Sequence, residues 1–147
     1  MDGFVPYRRK AQYYETDQMG IIHHSNYIRW FEEARIDFMA QAGLGYREME
    51  AQGILSPVLS VECEYKTMVH FGDEVQIRLR LEEYSGVRMT VDYRVEDATT
   101  GELRCQGKTR HCFLDREGRP LSLKRNAPAF DQLFREAQQR TAEGEGA

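Results

Sequence analysis

Val75-Gln76-Ile77-Arg78-Leu79-Arg80-Leu81 alternates an apolar with a polar side chain at every step. A period of two puts the apolar set on one face of a β-strand and the polar set on the other. The pattern recurs downstream in Met89-Thr90-Val91-Asp92-Tyr93-Arg94-Val95 and upstream in Leu59-Ser60-Val61-Glu62-Cys63-Glu64-Tyr65. Three such alternations predict strands with one buried and one wet face, as in an antiparallel sheet. Phe71-Gly72-Asp73, Tyr84-Ser85-Gly86 and Thr99-Thr100-Gly101 supply the turns. A fourth long strand is predicted from Leu103 to Leu114, stopped by Asp115-Arg116-Glu117-Gly118. Tyr7 to Tyr14 makes a fifth, whose alternation is basic and aromatic.

Ahead of the long strands the period changes. Tyr27, Ile28, Phe31, Ala34, Phe38, Met39 and Ala42 recur at helical spacing, with Arg29, Glu32, Glu33, Asp37 and Gln41 on the other side. This predicts a helix from Ser25 to Ala42, closed by Gly43 and Gly45. Tyr46 to Gln52 predicts a short helical turn, and Ala127 to Gln139 a terminal helix with Pro128 in its first turn. The order is therefore strand, long helix, four strands. One apolar-striped helix beside about five antiparallel strands packs economically when the sheet curls around the helix, an α+β arrangement. Residues 1–140 read as a single domain and 141–147 as a disordered tail.

The composition fits that reading. At 147 residues, 41% hydrophobic and 30% charged, the chain is long enough for one domain with a real core. It has no run of 18 apolar residues, so no membrane span is expected. The first residues show no basic stretch leading into an apolar one, so no secretory signal is expected and the cytoplasm is the expected compartment. Cys63, Cys105 and Cys112 make an odd count without CxxC spacing and read as reduced thiols, although spacing alone leaves one bridge open. The net charge of −4, from 20 basic and 24 acidic residues, argues against a nucleic-acid partner. Local basic clusters such as Tyr7-Arg8-Arg9-Lys10 suit a small phosphorylated ligand better than a polyanion.

The chemistry concentrates between the first strand and the helix, in Tyr13-Tyr14-Glu15-Thr16-Asp17-Gln18-Met19-Gly20-Ile21-Ile22-His23-His24-Ser25-Asn26-Tyr27. A loop feeding a helix start brings acidic and imidazole side chains to backbone N–H groups and the positive end of the helix dipole. Such donors stabilise a carbonyl oxygen that gains negative charge, by about 3–4 kcal/mol for each oxyanion donor. With a carboxylate opposite, the pieces of acyl transfer are present. Read residue by residue, Asp17 also suits a turn cap with Thr16. The His23-His24 pair is a poor metal site, because adjacent residues rarely aim at one ion and no His-x-x-x-His or cysteine supports them. No metal and no cofactor are expected. His70 and His111 read as structural or surface residues, and Glu32 and Glu33 as salt-bridge partners of Arg29 or Arg35. Met19, Ile21, Ile22 and Trp30 suit either an acyl pocket or the core.

Asp17-x-x-Gly20 followed by His24-x-Asn26-Tyr27, with Phe31-Glu32-Glu33-Ala34-Arg35, Phe71-Gly72-Asp73 and Gly107-Lys108-Thr109, closely resembles the 4-hydroxybenzoyl-CoA thioesterase family. Within it the stretch is similar to the acyl-CoA thioesterase branch associated with the Tol–Pal cluster, over about residues 7–123. The resemblance implies a hotdog fold, a five-stranded antiparallel sheet wrapped around a long central helix. It also implies a homodimer or homotetramer binding acyl-CoA, or an acyl-carrier protein, at the subunit interface. Asp17 would be the catalytic carboxylate, either attacking the thioester or activating water. The His24 backbone N–H would polarise the carbonyl, its side chain would position water or thioester or protonate the thiolate, and Tyr13 would orient Asp17. Gly20, Ile22 and Asn26 fall in the substrate-binding part of the motif, and Arg88, Lys108 and Arg110 are candidates for the CoA phosphates. The competing expectation is a non-catalytic acyl-CoA or acyl-carrier-protein binding module on the same fold; intact Asp17 and His24 argue against it. A hotdog dehydratase or hydratase is disfavoured by the loop aspartate.

Overall fold

The structure is a computed structural model that describes residues 3–145, with side chains described through residue 142. Five strands form one antiparallel sheet: β1 (Tyr7–Lys10), β2 (Val58–Tyr65), β3 (Glu74–Tyr84), β4 (Arg88–Asp97) and β5 (Leu103–Cys112), in the order β1-β3-β4-β5-β2. The long helix α1 (Ser25–Gln41) lies against one face of it, followed by the short α2 (Tyr46–Ala51). This is the hotdog arrangement. Val75, Ile77 and Leu81 of β3 and Met89, Val91, Tyr93 and Val95 of β4 are buried with Tyr27, Trp30, Phe31, Ala34 and Phe38 of α1, as their periods require.

Helix and sheet meet most closely at Gly107. A methyl group there would lie 2.5 Å from Phe31 Cε2 and 2.6 Å from the Glu62 carbonyl oxygen. The absent side chain lets the Phe31 ring reach the sheet and stack on Tyr93, with ring centroids 4.4 Å apart. The Tyr93 hydroxyl continues into a buried polar chain. It accepts from Arg35 Nη1 at 2.9 Å and meets Thr109 Oγ1 at 2.7 Å, and that hydroxyl meets His111 Nε2 at 2.8 Å. Burial, then the Arg35 charge, pushes the His111 imidazole down to about 4, so the ring is neutral inside the core.

The two sheet edges are treated differently. β1 spans only Tyr7 to Ile77's register, and α4 (Pro128–Glu145), which follows the short α3 (Leu123–Asn126), covers β3 beyond it. There Leu81 N donates to Thr141 Oγ1 at 3.1 Å and Gln138 Nε2 to the Glu82 carbonyl. Thr141 is thus buried in α4, which extends to Glu145 into the segment expected to be a tail; residues 146 and 147 lie outside the described residues. At the other edge, no described strand pairs with the outer side of β2. Its period-two pattern predicts a buried face; Cys63 packs on the core and Tyr65 sits edge-on to Tyr27 of α1 at 5.1 Å, yet Leu59 is 52% exposed and Tyr65 46%. Among the described residues no helix is long and apolar enough to cross a membrane.

Gly107→Ala tests the contact on which the helix seat rests. The added methyl overpacks both the Phe31 ring and the β2 backbone, and a loss of about 3 kcal/mol in urea unfolding is expected. Phe31→Leu, which opens space opposite, should recover part of that loss in the double variant.

Candidate active site

Between β1 and α1 the chain makes a 3₁₀ turn (Tyr13–Glu15) and then a small hairpin. Thr16 bridges to Ile22, Asp17 N donates to Ile21 O at 2.8 Å, and Gly20 N returns to Asp17 O at 3.0 Å. Gly20 closes this turn at φ +77°, where a side chain is strained although the space around it is open. The hairpin is tied to the sheet by Ile22 N donating to Val69 O and Ile21 bridging to His70.

Asp17 is half-buried on this hairpin. Its Oδ1 accepts the Met19 N–H at 2.8 Å, so the turn-cap reading holds; its Oδ2 takes no hydrogen bond from the described residues. The hairpin folds Asp17 back against the strand that runs into α1. His24 stands at the N-cap of that helix, exposed, with its ring stacked on His23 at 4.1 Å and edge-on to Tyr65 at 6.4 Å. The Tyr65 hydroxyl donates to the His24 carbonyl at 3.0 Å, which ties the helix start to β2. His23 Nδ1 accepts from Ser25 N at 3.2 Å and lies 2.9 Å from Ser25 Oγ.

Other expected positions fall elsewhere. Tyr13 is 74% exposed and sets its ring edge-on to Phe71 at 5.6 Å; no hydrogen bond joins its hydroxyl to Asp17. Ile22 is 3% exposed and belongs to the core, because the bridge to Val69 turns it inward. Asn26 is also buried and both ends of its amide are engaged: Nδ2 donates to Glu15 O at 2.9 Å, and Oδ1 accepts from Arg29 Nη1 at 3.1 Å. Lys108 and Arg110 lie on the sheet face away from α1, paired with Glu82 at 2.9 Å and Glu62 at 2.7 Å. Arg110 is five residues beyond Cys105, the β5 partner of Tyr65, and so is about 17 Å from the His24 end of the sheet at the usual strand rise. Arg88 opens β4 at that same far end. Within one chain these cations do not converge on Asp17. Glu33 pairs with Arg9 at 2.9 Å and accepts from the Tyr7 hydroxyl, rather than pairing along α1, since its helix face meets β1. Among the described residues no group of three potential metal ligands is found.

Glu15, part of the stretch that carries the family resemblance but assigned no role there, organises the site. It is 4% exposed. Its Oε1 accepts from Arg9 Nη1 at 2.7 Å and Gln12 N at 2.9 Å, and its Oε2 from Trp30 Nε1 at 2.8 Å. Its backbone carbonyl accepts from Asn26 Nδ2 and from His23 N. Burial alone would raise the Glu15 carboxyl, but the Arg9 hydrogen bond, with those from Trp30 and Gln12, holds it below the ordinary carboxylate range. The one sequence signal for it is an acidic residue placed just before an indole-bearing helix.

A family model described as the thioesterase-like superfamily matches residues 12–139. A protein of Aquifex aeolicus, provisionally named an esterase, is 40% identical over 119 residues, covering 80% of this chain and 89% of its own. A protein of Bacillus subtilis, provisionally named an acyl-CoA thioesterase, is 31% identical over 129 residues, covering 87% of this chain and 93% of its own. The crystal structure of a DHNA-CoA thioesterase from Staphylococcus aureus superposes with a TM-score of 0.86 at 34% identity, over 95% of this chain and 93% of that one.

Glu15→Gln leaves Arg9 buried without its full counter-charge, and a loss of about 3 kcal/mol is expected at pH 7 in urea unfolding. The sign with pH is set by the lowered carboxyl. Glu15 stabilises the fold above the ordinary carboxylate range, and this contribution is lost as pH falls through its folded value. The gap between wild type and variant should therefore narrow in acid.

Proposed function

The chain belongs to the thioesterase-like superfamily, and from that membership we propose that it hydrolyses acyl-CoA thioesters at the hairpin and helix start just described. The observation that supports this reading is the Thr16–Ile22 hairpin, which fixes, in the loop leading into α1, a carboxylate with one oxygen that takes no hydrogen bond from the described residues. A thioester carbonyl has little of the resonance that protects an amide. A positioned carboxylate and a polarised oxygen therefore suffice, without a serine–histidine pair. Asp17 acts through Oδ2, either by attacking the carbonyl to form a mixed anhydride or by taking a proton from water. The His24 N–H and the α1 dipole receive the developing oxyanion. The exposed His24 ring protonates or positions the departing thiolate. The narrower placement, among 4-hydroxybenzoyl-CoA thioesterases and their Tol–Pal-associated branch, rests on the Asp17-x-x-Gly20 and His24-x-Asn26-Tyr27 motif.

The acyl group in this reading is aromatic. Tyr13, edge-on to Phe71 at 5.6 Å, and its neighbour Tyr14, 80% exposed, offer ring faces and edges for stacking. The Staphylococcus aureus relative's name, a DHNA-CoA thioesterase, points the same way.

The working unit in this reading is a homodimer formed through β2. Val58, Leu59, Val61 and Tyr65 are exposed on a strand with one free hydrogen-bonding edge. Antiparallel pairing of two β2 strands about a two-fold axis closes that edge and brings the Val58 end of one chain to the Tyr65 end of the other. That pairing builds the two-chain site that the family resemblance implies, with acyl-CoA bound between the subunits.

Release of free thiol from a panel of aromatic and short aliphatic acyl-CoA thioesters tests the chemistry. Asp17→Asn should lower kcat by about 10²- to 10⁴-fold with little change in KM. Undiminished turnover would remove Asp17 from the mechanism, and tight acyl-CoA binding without turnover by wild type would make the protein a binding module. Val61→Arg should reduce the sedimenting mass to that of one chain and lower turnover together with it; a fully active monomer would overturn the two-chain site.

A further inference from the structure

Cys63 on β2 and Cys105 on β5 bring their sulfurs to 3.3 Å. The register explains this. Cys63 is opposite Gly107 and Tyr65 is opposite Cys105, so the two cysteines are diagonal neighbours on the same face of adjacent strands. That face is the one α1 covers: Cys105 is fully buried, and Cys63 is half-buried against the core. Gly107 has no side chain to stand between them. Cys112 is seven residues beyond Cys105, an odd offset that turns it to the opposite face. The pair therefore excludes the third thiol by geometry.

We propose that Cys63 and Cys105 are a redox modification site that closes to an intrachain cross-strand disulfide when the protein meets a hydroperoxide. The sulfurs must approach by about 1.2 Å to reach disulfide length. The movement falls on β2, which among the described residues pairs with β5 alone. A hydrogen bond from the Cys105 thiol favours the thiolate at Cys63 against the opposing effect of burial; Cys105 is pushed the other way. Cys63, the more accessible of the two, is thus the attacking sulfur. Its thiolate attacks the outer oxygen of the hydroperoxide and the O–O bond breaks. The other oxygen leaves with a proton as alcohol, or as water from hydrogen peroxide, and Cys63 becomes a sulfenic acid. The Cys105 sulfur then attacks Cys63 Sγ, the S–O bond breaks, and hydroxide leaves as water with the Cys105 proton. Two thiols have lost two electrons, and one peroxide has been reduced.

The site is independent of thioester hydrolysis, and its test needs no substrate. The full reduced chain is treated with hydrogen peroxide in slight excess and read by intact mass, thiol titration and peptide mapping without reductant. The expected result is a mass lower by about 2 Da, three titratable thiols reduced to one, and a linked peptide pair containing Cys63 and Cys105, all reversed by dithiothreitol. Cys112→Ser should still form the bridge, whereas Cys63→Ser should not. A gain of about 16 or 32 Da held on Cys63, a bridge through Cys112, or three unchanged thiols would each overturn the proposal.

Discussion

The buried carboxylate of Glu15 is the interaction on which the site depends. An ionised carboxyl taken out of water is costly unless charge and donors replace its hydration. Here Arg9 comes from β1, the Gln12 N–H from the connecting turn and the Trp30 indole from α1. Three separate segments must therefore sit correctly before the carboxylate is satisfied. Arg9 is drawn further in by Glu33 and lies 4.9 Å over the Trp30 ring, so the cation serves both elements. The main chain of the same residue receives Asn26 and His23. Two residues after Glu15 comes Asp17, and one residue after His23 comes His24. The clamp sets both sides of the candidate site without taking part in its chemistry.

Helix seat and sheet edges follow a similar logic of absence. Gly107 contributes by lacking a side chain, and the vacated space is filled by Phe31. The edge at β3 is closed by α4 through a hydroxyl, Thr141 Oγ1, accepting a backbone N–H that β1 is too short to reach. Among the described residues no strand pairs with the outer edge of β2. An edge strand carrying Leu59, Val61 and Tyr65 in the open is a liability in an isolated subunit. It is an asset if a second copy pairs with that edge.

Periodicity was enough for the architecture. The alternation in Val75–Leu81 and Met89–Val95, and the helical stripe from Tyr27 to Met39 apart from Ile28, which is exposed, appear in the structure as the faces that pack together. It misled at β2, because period two reports which residues share a face and not whether one chain covers that face. It was silent on Thr141, where a hydroxyl at a sheet edge decides the length of the terminal helix. The loop motif was legible as a constellation, but its internal geometry was not. Asn26 and Ile22 stand in the motif like ligand-facing residues, yet the Thr16–Ile22 bridge turns Ile22 inward and the Glu15 carbonyl engages Asn26. The Glu33 pairing was misplaced for a related reason: spacing along a helix shows neighbours at one turn, but not a strand packed across them.

Capping a turn is compatible with the catalytic role proposed for Asp17, and the geometry shows why. A carboxylate has two oxygens with about four acceptor directions. Met19 N occupies one of them at Oδ1, fixing the side-chain torsion while leaving Oδ2 without a protein donor. A free aspartate on a flexible loop would lose conformational entropy each time it met a carbonyl. Here that ordering is done during folding by Gly20, the Thr16–Ile22 bridge and the Val69 carbonyl. The turn cap is therefore part of what makes the carboxylate usable, and an ordinary structural role for Asp17 is no argument against a catalytic one.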